Sequence, residues 1–191
     1  MASVAVRASL RRKSTRRFTP TGIAFVIAVV GTVSFAGTPP VSAARLSGGT
    51  EFLGHVFPVA GPHWTRGAIG EFGAPRSGGR VHEGFDVVAS CGTPLVSVRG
   101  GRVRRAGYDP VLYGNYLLIH GENEHRSYFY AHLRRPAGVD RGDRVSTGQR
   151  IGAVGATGNA RTVGCHLHFE IHVDGRPIDP EPALRRWDRH S

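Results

Sequence analysis

From His166 to Val173 the chain reads HLHFEIHV, a strict alternation over eight positions. In an extended strand successive side chains point to opposite faces. Leu167, Phe169, Ile171 and Val173 therefore share an apolar face, and His166, His168, Glu170 and His172 share the other. The apolar face demands a core, so this segment belongs to a sheet. A slip of one residue would exchange the two faces and bury the histidines, which makes the register strongly specified. Neighbours along the titratable stripe stand roughly 6.5–7 Å apart. A plain solvated face would be served equally by Lys, Thr or Arg, so the choice of histidine calls for a reason.

The rest of the chain beyond Phe57 supplies partners for such a strand. Thr93 to Tyr108, TPLVSVRGGRVRRAGY, holds two β-branched runs broken at Gly100-Gly101, which predicts a hairpin. NYLLIHG (Asn115 to Gly121) and RSYFYAHL (Arg126 to Leu133) predict a second pair joined by Glu122-Asn123-Glu124. QRIGAVGATGN adds a further short strand, and only EPALRRW (Glu181 to Trp187) resembles a helix. The fold class is all-β with a mostly antiparallel sheet. Three loops are long and glycine-rich: 61–80, 108–114 and 155–164. On a small β scaffold, such loops bind more often than they merely connect.

Residues 1–43 read as a signal peptide. Six basic residues precede the apolar run Gly22 to Gly37, and Val41-Ser42-Ala43 supplies the small-x-small cleavage pattern. An uncleaved membrane anchor is the rival reading, and contact with a membrane is expected through this segment alone. The remaining divisions are a lead-in at 44–56, a domain at 57–184 and a tail at 185–191. Six of the 25 basic residues and none of the acids lie in the first 43, so the remainder carries +5 of the formal charge of +11. That surface suits polyanions, and for an exported protein these are anionic cell-wall polymers. No nucleic-acid-reading motif is present, so nucleic acid is not an expected partner. Cys91 and Cys165 are the two cysteines. An even count in an oxidising compartment favours one disulfide over two buried thiols or a zinc thiolate.

Two other segments carry similar chemistry. In RSYFYAHL, alternation predicts Phe129, Ala131 and Leu133 facing inward and Tyr128, Tyr130 and His132 facing the other way. HEGFD places His82 and Asp86 four residues apart, and Gly84 between them argues against a helix. Imidazole and carboxylate together are ligands that zinc accepts. A catalytic zinc takes three protein ligands and leaves a position for water. The candidates His82, Asp86, His132, His166 and His168 exceed that need by two, which leaves two imidazoles for proton transfer and oxyanion stabilisation. Spacing does not separate His166 from His168.

HEGFD, YAHL and GCHLHFE, in that order, resemble the H-x-G-x-D, Y-x-H-L and H-L-H-F-E motifs of the lysostaphin/LytM family of zinc metallo-endopeptidases. The resemblance extends over about Phe57 to Leu184. It implies that His82, Asp86 and His168 bind Zn2+, that His132 and His166 are catalytic, and that the substrates are peptide stems or cross-bridges of bacterial peptidoglycan. It also implies a lysostaphin-like, duplicated-hybrid-motif-like sheet whose long loops wall a groove, in a protein secreted or associated with the cell wall. Glu170 is expected to orient a histidine. Cys91 and Cys165 depart from the family's usual residues, and a Cys91–Cys165 bridge would tie the two ligand-bearing segments together. The alternative is a non-catalytic relative that binds the wall or activates another hydrolase. Such relatives typically lose ligands or catalytic histidines, and all five are present here. His172 lies beyond the matched motif and is left outside the site. His55, His120, His125 and His190 are expected at the surface or in loops, with His63 a candidate to line the groove.

Overall fold

The structure, a computed structural model, describes residues 54–189. The expected signal segment 1–43 and the lead-in up to residue 53 lie outside the described residues. Ten strands are present among the described residues: β1 His63–Thr65, β2 Phe85–Ala89, β3 Pro94–Val96, β4 Gly101–Asp109, β5 Gly114–Gly121, β6 Arg126–Leu133, β7 Arg144–Val145, β8 Arg150–Ala153, β9 His166–Val173 and β10 Arg176–Ile178. Among the described residues one α-helix, α1, spans Glu181–Asp188, besides three short 3-10 turns. The main sheet runs β1-β2-β9-β6-β5-β4-β7, with β10 also pairing β9, and β3 and β8 form a separate two-stranded sheet. Every strand pair is antiparallel.

The alternation in β9 is realised as expected. Leu167, Phe169 and Ile171 enter the main core with Phe85 and Val87 of β2 and Tyr128 and Tyr130 of β6. Burying each of the larger apolar side chains contributes about 1.5–3 kcal/mol. That burial holds the register which puts His166, His168 and Glu170 on the opposite face. The small sheet adds Leu95 and Ile151 to the same core. Helix α1 closes one end: Leu184 and Trp187, three residues apart on one helical face, are buried there. The packing thus continues past Leu184. His55, expected at the surface, is part of it: its ring stacks on Trp187 at 5.2 Å, and its Nε2 lies 2.8 Å from the Tyr128 hydroxyl.

Two expectations are corrected. The runs either side of Gly100-Gly101 do not form a hairpin, because β3 pairs with β8 whereas β4 pairs with β5 and β7. Glycine is needed there for close approach: a Cβ on Gly101 would lie 2.1 Å from the His120 carbonyl oxygen. From Tyr128 to Ala131 the faces of β6 are also the reverse of the expectation, whereas Leu133 is buried in the main core as expected. Tyr128 and Tyr130 stand directly across from Ile171 and Phe169 and are fully buried in the core. Phe129 and Ala131 stand across from Glu170 and His168 and, with Leu118, form a second apolar cluster under the histidine face.

His132 follows the parity of the tyrosines and would enter the core if β6 stayed regular. Instead its φ is 62°, and the β5–β6 register shifts between Asn115/Leu133 and Leu117/Tyr130. Two residues of β6 there oppose one of β5, a bulge that re-aims the side chain. The left-handed conformation costs a non-glycine residue on the order of 1–2 kcal/mol. The consequence is that the His132 ring reaches the histidine face, 4.7 Å from the ring of His166 and 5.9 Å from that of His168.

Candidate functional site

The cleft is built on the polar face of β9. Asp86 of β2 stands directly across from His168 of β9, so the two share a face at the closest cross-strand spacing. His82 precedes β2 in a segment held by its backbone N–H donating to the Ala74 carbonyl at 2.9 Å. Gly84 lets that segment pass over β9: a Cβ there would lie 2.6 Å from the Phe169 carbonyl oxygen and 2.7 Å from the His168 ring. This accounts physically for the glycine of HEGFD.

One ligand atom from each of His82, Asp86 and His168 lies within 4.8 Å of the others, and all three residues are buried. His82 Nε2 is 3.1 Å from Asp86 Oδ1, His168 Nδ1 is 3.3 Å from the same oxygen, and the two ring nitrogens are 2.8 Å apart. The far side of each group is tied down. His82 Nδ1 donates to the Glu71 carbonyl at 2.9 Å, and His168 Nε2 donates to Glu170 Oε1 at 2.8 Å. Arg66 Nη1 donates to Asp86 Oδ2 at 3.1 Å. These hydrogen bonds set the tautomers so that the inner nitrogens present lone pairs to one another, an arrangement that needs a cation. Two imidazoles and a carboxylate, each oriented by an outer partner, fit a zinc ion.

His132 and His166 flank this cluster. Their Nδ1 atoms donate to the carbonyls of Thr157 and Gly164, each at 2.9 Å, which leaves each Nε2 as the free acceptor. His166 Nε2 comes within 3.8 Å of Asp86 Oδ1. Burial lowers the pKa of His132 to about 3, with the neighbouring His166 and His168 adding to the effect. Burial likewise lowers His166, against the pull of Asp86. Both rings are neutral at neutral pH. Burial opposes charge on His168 too, but hydrogen bonds to Asp86 and Glu170 push its pKa up to about 9. The Asp86 carboxyl, which burial alone would raise, is held well below the usual range by His168 and His82.

All five candidates therefore converge, and Glu170 accepts a hydrogen bond from His168. His172 is not separate from the site: its Nε2 bonds the second oxygen of Glu170. Arg66, Arg76 and Tyr113 went unnoticed in the sequence. Arg66 and Arg76 sit inside a glycine-rich loop with no periodicity to mark them. Tyr113 is marked only by lying in one of the long loops. The cleft, about 650 Å³, is lined by residues from all three of those loops, including Arg76, Tyr113 and Ala160. His63 turns away from it and stacks on Phe57 at 4.2 Å. Cys91 and Cys165 form a disulfide, joining the segment after β2 to the one before β9.

An antiparallel β-domain with a His-Asp-His cluster on the floor of a loop-walled cleft is the class so defined. Residues 80–180, more than half of the chain, match Peptidase family M23, and the chain belongs to that family. It is 41% identical over 101 residues to the peptidoglycan DD-endopeptidase ShyC of Vibrio cholerae, covering 53% of this chain and 22% of that one. It is 34% identical over 125 residues to the murein hydrolase activator NlpD of Salmonella typhimurium, covering 64% and 31%. The chain thus spans less than a third of either relative. Among solved structures, a zinc-containing peptidase from Vibrio cholerae superposes with a TM-score of 0.57 at 33% identity, covering 66% of this chain and 39% of that chain. The catalytic domain of lysostaphin from Staphylococcus simulans does so with a TM-score of 0.54 at 30% identity, covering 61% and 89%. The lysostaphin-like fold is that of the expectation.

Proposed function

We propose that this chain is an exported zinc-dependent endopeptidase that hydrolyses peptide bonds of bacterial peptidoglycan. The observation that carries the reading is one cleft holding both a His82-Asp86-His168 cluster and two further neutral imidazoles with free Nε2 atoms. His82 Nε2, Asp86 Oδ1 and His168 Nδ1 would hold the metal. When bound, zinc lowers the pKa of a coordinated water and polarises the scissile carbonyl. One of His132 and His166 accepts the water's proton at Nε2. The other stabilises the developing oxyanion or protonates the leaving amine. The hydrogen bonds to Thr157 and Gly164 keep both rings in the tautomer that can accept a proton. Glu170 and Arg66 hold His168 and Asp86 in place.

A relative at 34% identity is a murein hydrolase activator, which favours a second reading in which the chain activates another hydrolase. The presence of all five site residues favours catalysis. Digestion of purified cross-linked muropeptides by the zinc-loaded full chain, read by mass spectrometry, separates the two. Endopeptidase activity releases peptide fragments with no second enzyme present. An activator leaves the muropeptides intact and accelerates an added hydrolase.

A further inference from the structure

Arg66, Arg76 and Arg80 line the same cleft as the imidazole cluster. Arg66 Nη1 and Arg76 Nη2 approach one oxygen, Asp86 Oδ2, at 3.1 and 3.8 Å. One carboxylate oxygen thus faces two guanidiniums. The Arg80 side chain is held through its Nε, which donates to the Ser77 carbonyl at 3.3 Å, and it makes no ion pair among the described residues. The acids lining the cleft leave Arg80 without a carboxylate partner among the described residues: Asp86 serves Arg66, Arg76, His82 and His168, and Glu170 is held between His168 and His172. Glu83 lines the cleft without pairing any of the three arginines. An anion placed among these guanidiniums would offset their like charge.

Shaping the loop does not account for the charge. Arg76 holds the loop through the Ile69 and Pro75 carbonyls, and Arg80 through Ser77; neutral donors would serve those oxygens equally. Beside the arginines, Ile69 and Val81 line the cleft while 60% and 58% exposed. Aliphatic surface next to uncancelled guanidinium suits a peptide with small apolar side chains and a carboxylate. A planar guanidinium also matches a carboxylate in two-point geometry.

We propose that Arg80, backed by Arg76 and Arg66, forms a carboxylate-recognising subsite of the cleft. The peptide that fits best carries a free carboxylate near the scissile bond, and an uncharged polyglycine segment fits poorly. This rests on the peptidase reading above. The test compares two synthetic stem peptides that differ only in a free carboxylate or its carboxamide beside the scissile bond. Both are measured for cleavage by the zinc-loaded full chain and, as non-cleavable analogues, for equilibrium binding. The carboxylate form is expected to be favoured roughly tenfold or more in both kcat/KM and Kd. Arg80→Gln should abolish that preference, and Arg80→Lys should restore part of it. Equal binding of the two forms, or an undiminished preference in Arg80→Gln, overturns the subsite. Selective binding with no cleavage of either peptide would overturn the peptidase reading and leave the subsite standing. Equal cleavage of both would do the reverse.

Discussion

His82 Nε2 and His168 Nδ1 face each other at 2.8 Å, while the opposite nitrogen of each ring donates to a fixed acceptor. Two lone pairs at that separation repel unless a positive charge lies between them. In the metal-free chain a proton on His168 meets that need, which is why Asp86 and Glu170 outweigh its burial and set its pKa near 9. A zinc ion held in the same place by His82, Asp86 and His168 would displace the proton.

Zinc binding at neutral pH should therefore release about one proton per site, measurable as acidification of a weakly buffered solution. The folded pKa of His168 lies above its unfolded value of about 6.5, so its contribution to stability is full below that pH and lost as pH rises through 9. The melting temperature of the chelator-treated chain should fall between those limits. His168→Ala should remove both that dependence and the proton release.

His132→Ala and His166→Ala should each reduce kcat by roughly 100-fold or more while retaining zinc, because neither ring supplies an atom of the proposed ligand set. Metal analysis beside steady-state kinetics checks this. Loss of zinc in either variant would move that histidine into the metal's coordination.

The low pKa of His132 runs in the opposite direction. An unfolded histidine takes a proton at about 6.5, whereas folded His132 stays neutral until about 3. The folded state binds fewer protons in that window, so stability is lost as pH falls through it. His132→Gln should flatten this acid limb in pH-dependent denaturation.

The Cys91–Cys165 bridge spans a sequence separation of 74, for which loop-closure entropy gives at most about 4.5 kcal/mol. The β2–β9 pairing keeps some order between these segments without the bridge. Reduction should lower the melting temperature without unfolding the chain at room temperature. Thiol titration of the denatured, unreduced protein should find no free cysteine.

Gly84→Ala should weaken zinc binding about 10- to 100-fold, the range for losing an outer partner of a metal ligand. The added Cβ meets the Phe169 carbonyl at 2.6 Å, and backbone in a central strand pair cannot yield. Isothermal titration with zinc measures the loss.

The histidine face of β9 was legible because strict alternation set apolar against titratable residues. The faces of β6 were not, because Tyr128, Phe129, Tyr130 and Ala131 are all buried and nothing polar marks a side. His132 was identified by its motif, but the bulge that delivers it depends on a φ of 62° that histidine does not advertise. Gly100-Gly101 carried the signature of a turn and serves close packing against β5 instead. His172 lay outside any motif, and only its bond to Glu170 connects it to the site. Arg66 and Arg76 reach Asp86 across 20 and 10 positions of the sequence, from a loop whose path no local pattern dictates.

The most direct test of the central claim is the release of new amino groups from purified peptidoglycan, comparing the zinc-loaded full chain with His166→Ala. The wild-type chain should release amines, and His166→Ala should release them roughly 100-fold or more slowly, although it keeps its zinc. Equal release by both, or none by the wild type under full zinc loading, would contradict the account.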